Sequence, residues 1–255
     1  MSAETIFDGV LAGRTAVVTG ASRGIGTAVA SVLMSAGADV IALQRSSPGV
    51  ELRRASTRVQ RSLTHQEVDL ADQRSIAQAV ERITAEHRVD ILVNNAGLQI
   101  RHDSIEFPID EFDRVLAVNT SAVFQLSQAF GRGMLERGSG KIVALASLLS
   151  FQGGLRVPAY AASKGAVAQL VKALSNEWAG RGVNVNAVAP GYVATEMNEA
   201  LMNDPDRYRQ LSERIPAGRW AQPEDIARAV GFLCTPYADY IHGTVLPVDG
   251  GWLGR

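Results

Sequence analysis

From Arg14 onward, the sequence alternates short runs rich in Val, Ile and Leu with longer stretches in which apolar residues recur at helical spacing. Such alternation is typical of βαβ units, whose strands pair into one parallel sheet. The short runs are apolar on both faces, which indicates strands that are covered by helices on both sides. They occupy 14–20, 38–43, 89–95, 140–147, 183–190 and 244–250.

The longer stretches fit the crossover helices of such a sheet. They occupy 24–36, 72–87, 111–137, 158–180 and 223–234. Pro223 and two acidic residues begin the last of them, where proline needs no donor and carboxylates meet the positive end of the helix dipole. A further strand is predicted near 67–70, and no repeat or polar linker divides the chain. We therefore predict a single doubly wound Rossmann-type α/β domain over 1–255, with about seven parallel strands and the active site at their carboxyl ends.

Composition narrows the classes of partner. The formal net charge of −1 gives no electrostatic footprint for nucleic acid, and the arginine-rich segment 45–61 is predicted to be a solvated helix face. No run of about 18 apolar residues is present, and the N-terminal segment lacks the apolar core of an export signal. We therefore expect no nucleic-acid partner, no membrane association and a cytoplasmic location.

A single cysteine limits the redox and metal chemistry of the chain. Because Cys234 is the only one, the chain can form no intramolecular disulfide and no Cys-based zinc site. It lies in the apolar helical stretch "AVGFLCTP", which favours a buried small hydrophobe over a reactive thiol. We therefore assign the chain no metal site and expect a reducing compartment.

The turn "VVTGASRGIG" places Gly20, Gly24 and Gly26 directly after a predicted strand and at the head of a predicted helix. Glycine allows the tight turn, and it lets backbone N–H groups approach a pyrophosphate at the positive helix terminus. The spacing is G-x-x-x-G-x-G rather than the commoner dinucleotide pattern G-x-G-x-x-G. The turn therefore predicts a nucleotide-binding site.

The stretch "GGLRVPAYAASKG", residues 153–165, places Tyr160 four residues before Lys164. A free tyrosine titrates near 10, so a tyrosine that exchanges protons at neutral pH needs a neighbour that lowers its pKa. A lysine one helical turn along lies on the same face, and its positive charge stabilises the phenolate. The pair therefore predicts a general acid/base, Tyr160, with Lys164 as the group that adjusts its pKa.

The motifs resemble those of the short-chain dehydrogenase/reductase family. They occur in the family's order over nearly the whole chain, and each stands where the family's own motif stands relative to the strands. The resemblance implies an NAD(P)-dependent oxidoreductase that acts on a secondary alcohol or a ketone. The matching motifs are "TGASRGIG", "DL" at 69–70, "NNAG" at 94–97, "VNT" at 118–120, Ser147, Tyr160 with Lys164, and "PGYVAT" at 190–195.

The resemblance implies a role for each matched residue. Tyr160 is the acid/base, Lys164 also holds the nicotinamide ribose, Ser147 orients the substrate oxygen, and Asn119 holds a water that links Lys164 to solvent. The catalytic set is thus Asn119, Ser147, Tyr160 and Lys164. The implied cofactor-binding residues are Gly20, Ser22, Arg23, Gly24, Ile25, Gly26, Gln44, Arg45, Asp69, Leu70, Asn95, Ala96, Gly97, Tyr160, Lys164, Pro190, Gly191, Val193 and Thr195.

The sequence leaves the choice between NAD and NADP open. An acidic residue at the end of the second strand binds the ribose 2′-hydroxyl of NAD, whereas a basic residue accommodates the 2′-phosphate of NADP. Gln44 stands at this position, so nothing repels a phosphate, and Arg45 and Arg23 could pair with one. These residues favour NADP. The subfamily that the chain resembles, which is described in the next paragraph, favours NAD.

Three segments are similar to a subfamily of dehydrogenases that act on deoxy sugar acids, the 2-deoxy-D-gluconate 3-dehydrogenases and 2-dehydro-3-deoxy-D-gluconate 5-dehydrogenases. They are "NNAGLQIRHDSIEF", "SLLSFQGGLRVPAYAASKG" and "RIPAGRWAQPEDI" with the terminal "VDGGWLGR". The lid sequence "VATEMNEALMNDPDRYRQL" departs from the subfamily and is more like that of a general reductase. The resemblance implies a small-molecule substrate that carries a carboxylate.

A carboxylate substrate requires cationic partners near the reacting atoms. We expect Arg156, one helical turn before the tyrosine, and Arg101, in the loop beyond "NNAG", to bind the carboxylate through charge-assisted hydrogen bonds. Gln152 and His102 are further candidates for contacts with sugar hydroxyls. The predicted substrate-binding residues are Arg101, Ser147, Gln152, Arg156 and Tyr160.

Two other functions are compatible with the sequence. The glycine turn also agrees with a 3-oxoacyl-acyl-carrier-protein reductase or a broad carbonyl reductase. A non-catalytic cofactor-binding sensor would keep the fold, although such proteins usually lack part of the catalytic set. The family resemblance further implies a homotetramer, assembled through the helices near 111–137 and 158–180 and through the last strand.

Overall fold

One parallel sheet of seven strands organises residues 7–255, the part of the chain that the computed structural model describes. The strand order is β3-β2-β1-β4-β5-β6-β7, so the direction of winding reverses between β1 and β4. In open α/β sheets, this reversal leaves a crevice at the carboxyl ends of the strands. The strands are β1 Thr15–Thr19, β2 Asp39–Gln44, β3 Leu63–Glu67, β4 Ile91–Asn94, β5 Gly140–Leu145, β6 Val183–Pro190 and β7 Val245–Val248.

Helices cover both faces of the sheet. The helices are α1 Gly24–Ser35, α2 Val50–Val59, α3 Gln73–Glu86, α4 Ile109–Leu116, α5 Ala122–Arg137, α6 Pro158–Trp178, α7 Glu199–Met202, α8 Pro205–Arg214 and α9 Pro223–Cys234. Helices α1 and α9 pack against one face, to which Val18 belongs, and α3, α5 and α6 pack against the other, to which Val17 belongs. Because neighbouring strand residues point to opposite faces, both valines are fully buried.

The predicted fold class is confirmed. The six apolar runs and four of the five predicted helices appear with bounds within two residues of the predicted ones. The further strand predicted near 67–70 exists but lies earlier in the chain, because β3 occupies Leu63–Glu67 and only the Val68 N–H continues its pairing with β2. β3 is an edge strand with a polar, half-exposed sequence, "LTHQE", so it has no apolar run that would reveal it.

The prediction of one continuous helix over 111–137 is wrong. Helix α4 ends at Leu116, a π-helical turn spans Ala117–Ser121, and α5 follows. The arginine-rich segment does contain an exposed helix, α2, in which only Leu52 is buried. Helices α7 and α8, which follow the loop after β6, were not predicted.

Cys234 is buried in α9, and burial raises the pKa of its thiol to about 12. This confirms the interpretation of a buried small hydrophobe rather than a reactive thiol.

Within 7–255, none of the helices combines the length and the apolar character that crossing a bilayer requires. Residues 1–6, which fall in the predicted domain and in the segment for which the sequence predicts no export signal, lie outside the described part of the chain.

Candidate active site

A cavity of about 1070 Å³ opens at the carboxyl ends of the strands, where the winding reverses. All of the residues that the sequence predicts for cofactor binding lie on its wall. They come from the β1–α1 turn, the end of β2, the loops after β3, β4 and β6, and the first turns of α6. The fold therefore brings together, at one site, segments that are far apart in the sequence.

The β1–α1 turn forms a cradle that only glycine can build. Gly20 and Gly24 have φ values of +65° and +54°, in the left-handed region that favours glycine. A Cβ at Gly26 would overlap the Gly20 carbonyl oxygen. The first turn of α1 carries no acidic residue, so its positive end faces the cavity without competition. This turn fits an anionic group such as a pyrophosphate.

The loop after β4 braces this turn. The Asn95 side-chain Nδ2 donates to the carbonyl oxygens of Thr19 and Gly20, at 2.9 and 3.0 Å. In return, the Thr19 hydroxyl accepts hydrogen bonds from the backbone N–H groups of Asn95 and Ala96. These bonds fix the position of the glycine turn relative to the sheet.

The end of β2 presents amide and guanidinium groups and no carboxylate. The Gln44 Nε2 donates to the carbonyl oxygen of Ser46 at 2.7 Å, which leaves its buried Oε1 without a hydrogen-bond partner among the described residues. Such an acceptor would be satisfied by a hydroxyl donor of a ribose. Arg45 is exposed on the same wall, and Arg23 forms an ion pair with Glu196 from the segment after β6.

Tyr160, Ser147 and Lys164 converge on the cavity. The side chain of Ser147, which follows β5, is close enough to the Tyr160 hydroxyl to lower its pKa. The Lys164 Nζ lies 5.5 Å from the centroid of the Tyr160 ring and donates to the carbonyl oxygen of Leu145 at 2.6 Å. Tyrosine and lysine thus share one face of α6, as the four-residue spacing predicts.

Burial controls the proton affinities of this pair. It raises the pKa of Tyr160, and the side chain of Ser147 opposes this only in part. It lowers the pKa of Lys164 to about 8. The sequence predicts that Lys164 lowers the pKa of Tyr160. In the structure the largest influence on this pKa is burial, which raises it, because burial disfavours the charged form of both groups. Tyr160 is protonated at neutral pH.

Asn119 does not line the cavity but is fully buried behind it. Its Nδ2 donates to the Leu98 carbonyl oxygen at 2.9 Å and to the Ser163 hydroxyl at 3.0 Å, and its Oδ1 accepts from the Leu98 N–H at 2.8 Å. The side chain therefore ties the loop after β4 to α6. The π-helical turn places Asn119 in this position, and such turns often occur at functional sites.

The predicted substrate residues divide into two groups. Arg101 and Gln152 line the cavity, and Gln152 accepts a hydrogen bond from the Trp252 indole at 3.3 Å. Arg156 does not line it. Its Nε pairs with Asp103 at 2.9 Å, and about 62% of its side chain is exposed. His102 lies outside the cavity wall and contacts Glu111 at 2.7 Å.

The spacing argument for Arg156 fails because α6 begins at Pro158. Proline disfavours helical backbone in the residue before it, and Val157 accordingly has φ −135°. Arg156 adopts a left-handed conformation with φ +65°. It therefore does not share the helical face of Tyr160, and the structure brings it to Asp103 instead.

Sequence reasoning missed a set of cavity residues on the lid helix α8. Four of its side chains line the cavity at positions i, i+3, i+4 and i+7, which lie on one helical face. This spacing is visible in "RYRQLSER" and was the available signal. Tyr192 and Trp252, from two other segments, complete this end of the wall. The four α8 residues are Arg207, Gln210, Leu211 and Arg214.

Comparison with known proteins agrees with this geometry. A family model described as enoyl-(acyl carrier protein) reductase, of the adh_short_C2 group of short-chain dehydrogenases, matches residues 20–253. The chain belongs to the short-chain dehydrogenase/reductase family. The sequence prediction of this family is therefore confirmed.

Relatives within the short-chain dehydrogenase/reductase family cover the whole fold. The chain is 44% identical to the 2-dehydro-3-deoxy-D-gluconate 5-dehydrogenase of Bacillus subtilis, over 96% of each chain. It superposes with a TM-score of 0.91 on a Beutenbergia cavernae protein assigned as an NAD(P)-dependent gluconate 5-dehydrogenase, at 49% identity over 98% of this chain and 99% of that one. An Agrobacterium tumefaciens protein assigned as a 2-deoxy-D-gluconate 3-dehydrogenase gives the same TM-score and coverage at 48% identity. Both structures contain bound NADP.

Proposed function

We propose that this chain is an NAD(P)-dependent oxidoreductase that interconverts a secondary alcohol and a ketone of a deoxy sugar acid. The observation that carries the proposal is the convergence of Tyr160, Ser147 and Lys164 at the carboxyl ends of the strands, in one cavity with the glycine cradle. The relatives that act on gluconate derivatives support the substrate class. The reaction is of the 2-deoxy-D-gluconate 3-dehydrogenase or 2-dehydro-3-deoxy-D-gluconate 5-dehydrogenase type.

The side chains divide the work of a proton-coupled carbonyl reduction. The nicotinamide supplies or accepts the hydride when it is bound. Tyr160, which burial keeps protonated at neutral pH, donates its proton to the carbonyl oxygen, and it accepts a proton in the reverse direction. Ser147, which lines the cavity beside Tyr160, holds the same oxygen. Asn119 keeps the loop after β4 against α6, where Lys164 stands.

We propose NADP as the preferred cofactor. Gln44 carries no charge that would repel a 2′-phosphate, and Arg45 and Arg23 line the cavity beside it. The Gln44 Oε1, which has no hydrogen-bond partner among the described residues, would accept from the hydroxyl that the phosphorylated ribose retains. Arg45→Gln is expected to raise the KM for NADPH roughly tenfold, the value of a charge-assisted hydrogen bond, and to leave the KM for NADH unchanged. An equal change in both KM values would contradict this assignment.

Initial rates on a panel of keto sugar acids test the proposed function. The panel contains deoxy-keto gluconates and related hexuronates, each with NADH and NADPH. We expect turnover of at least one acid, with the higher kcat/KM for NADPH. Faster turnover of an acetoacetyl thioester would instead establish the alternative, a 3-oxoacyl-acyl-carrier-protein reductase or a broad carbonyl reductase. Cofactor binding without turnover of any ketone would instead indicate a sensor.

We also propose that the chain assembles as a homotetramer in the cytoplasm. Phe124 on α5 is 42% exposed, and Tyr237 and Tyr240, which precede the edge strand β7, are 66% and 100% exposed. Apolar surface and an unpaired strand edge are both suited to contact with further copies of the same chain. Helix α5 and strand β7 are two of the three elements that the family resemblance implies for assembly, and α6 is the third.

A further inference from the structure

The charge of the cavity wall differs from that of the chain as a whole. The chain carries 25 basic and 26 acidic residues, whereas the cavity wall carries six arginines and two carboxylates. A concave site lined by one sign of charge raises the local concentration of ligands of the opposite sign. Arg23 and Arg45 lie at the cofactor end of the cavity. Binding of the cofactor therefore explains these two arginines but not those at the other end.

The other four arginines of the wall are Arg101, Arg114, Arg207 and Arg214, and within 7–255 none of the four has an acidic partner. The guanidinium groups of Arg101, Arg207 and Arg214 each line the cavity, and within 7–255 none of them lies within 4.0 Å of a carboxylate oxygen. By contrast, the nearby Arg156 and Arg209 are paired with Asp103 and Asp206, outside the cavity wall. At this end of the cavity, the arginines on the wall therefore have no counter-charge, whereas Arg156 and Arg209 beside it do.

Arg214 is held in a defined orientation. Its guanidinium carbon lies 3.9 Å from the centroid of the Trp252 ring, which is the distance of a cation–π contact. Trp252 is itself buried and donates to Gln152, another cavity residue. Stacking occupies one planar face of the guanidinium and leaves its N–H groups available for bidentate hydrogen bonds.

The lid helix that carries Arg214 is anchored to the catalytic end of the site. Leu211 and Ile215 are buried in a small cluster with Leu148, which follows the catalytic Ser147 in the chain, and with Trp252. Arg207 lies two turns before Arg214 on the same face of α8. The packing therefore fixes α8, and with it the backbone of both arginines, relative to the loop that contains Ser147.

Tyr192 lines the same cavity as the three arginines. Its ring packs against Trp252, with centroids 5.0 Å apart. Burial raises the pKa of Tyr192, while the positive charges of Arg207, Arg214 and Arg101 act against that rise. The three guanidinium groups, from two separate segments, are thus close enough to act on one hydroxyl group.

We propose that Arg214, with Arg207 and Arg101, binds the carboxylate of the substrate and sets the preference of the enzyme for sugar acids over neutral sugars. The proposal rests on the proposed function, since it assigns the specificity determinant of the same reaction. It replaces Arg156, whose charge is taken by Asp103. Arg214 provides the bidentate contact, while Arg207 and Arg101 add positive charge around it.

The test compares an acid with its neutral counterpart. 5-Keto-D-gluconate and L-sorbose have the same carbon skeleton, except that a hydroxymethyl group replaces the carboxylate in L-sorbose. Kinetic constants with NADPH are measured for the wild type, Arg214→Gln and Arg207→Gln. Arg209→Gln is the matched control, because Arg209 lies on the same helix, pairs with Asp206 and does not line the cavity.

We expect Arg214→Gln to raise the KM for 5-keto-D-gluconate by roughly tenfold or more, with a smaller rise for Arg207→Gln. The KM for L-sorbose, or its inhibition constant if it turns over too slowly, stays unchanged in both variants. Arg209→Gln leaves all constants at wild-type values. An equal KM for the acid in the wild type and Arg214→Gln overturns the proposal.

A binding measurement separates this proposal from the proposed function. D-Gluconate and its neutral counterpart D-glucitol are titrated into the NADPH complex, and tryptophan fluorescence is followed, since Arg214 stacks on Trp252. We expect Arg214→Gln to weaken D-gluconate binding alone. If the wild type reduces no sugar acid yet binds D-gluconate through Arg214, the proposed function fails and the carboxylate site stands. If D-gluconate binding is absent, or equal in both proteins, the carboxylate site is overturned.

Discussion

The hydroxyl group of Tyr160 is the one protein group through which the proposed proton transfer passes. Tyr160→Phe keeps the ring beside Lys164 and removes only the proton donor. We expect kcat to fall by about 10²–10⁴-fold, the usual contribution of a general acid or base, while the Kd for NADPH stays unchanged. Stopped-flow rates and fluorescence titration measure the two quantities. Tyr237→Phe, at an exposed position outside the cavity, is the control, and wild-type kcat in Tyr160→Phe would refute the role.

Burial of Lys164 should lower the free energy of unfolding of the protein. Burial lowers its pKa from the usual 10.5 to about 8, and each unit is worth about 1.4 kcal/mol. After allowing for the lost hydrogen bond to Leu145, we expect Lys164→Met to raise the free energy of unfolding at pH 7 by about 2 kcal/mol. Denaturant titration measures this difference, and a less stable variant at pH 7 would contradict the burial argument.

The same replacement has a pH signature. Between about pH 8 and 10.5, the unfolded wild type still binds the lysine proton that the folded wild type has released. The stability of the wild type therefore rises with pH in this window relative to Lys164→Met, which has no such proton. The advantage of the variant should shrink from pH 8 to pH 10.5, and a constant difference would show that the lysine is not destabilised by burial.

Residue identity was easier to predict than residue placement. Tyr160 and Lys164 were found because both lie inside one helix, where sequence spacing fixes which side chains share a face. The argument for Arg156 used the same spacing but crossed Pro158, the start of the helix. Arg214 was missed because its stacking on Trp252 joins two distant segments, and no local pattern predicts such a contact.

At the scale of elements, the β1–α1 turn is the segment that tolerates a larger side chain least. A Cβ at Gly26 would overlap the Gly20 carbonyl oxygen and crowd the Asn95 side-chain amide. Neither the backbone of the turn nor the Asn95 side chain that supports it could then keep its position. Gly26→Ala is expected to abolish NADPH binding and to lower Tm by several degrees, as for about 1–3 kcal/mol of overpacking. Calorimetry and NADPH titration measure both effects. Gly180→Ala, where a Cβ meets nothing within 4 Å, is the control and stays near wild type.

Elements with an apolar face were predictable, and those shaped by tertiary contacts were not. Strands β1, β2 and β4–β6 are buried on both faces, so hydrophobic runs predict them directly. The edge strand β3 has no such run. The π-helical turn at Asn119 is held by hydrogen bonds to Leu98 and Ser163, and the periodicity of 111–137 contains no sign of it.

At the scale of the molecule, the order of motifs along the chain predicted the location of the site. A doubly wound sheet collects the carboxyl ends of its strands along one edge, so any motif that follows a strand lies there. All of the residues predicted to bind the cofactor do lie on one cavity wall, and most of them follow a strand. It could not give the shape or charge of the substrate end, because the lid that forms it packs through its own small cluster of Leu211, Ile215, Trp220 and Trp252.

The surface that the molecule leaves exposed predicts its assembly. Phe124 projects from α5, one of the helices that the proposed tetramer would bury, and a charge there would have to be desolvated on association. We expect light scattering of the wild type to give four times the chain mass and Phe124→Glu to give a smaller species. Val50→Glu, at an exposed apolar position on α2 and away from α5, α6 and β7, should remain a tetramer. A wild type with the mass of one chain, or a Phe124→Glu variant with unchanged mass, would contradict assembly through α5.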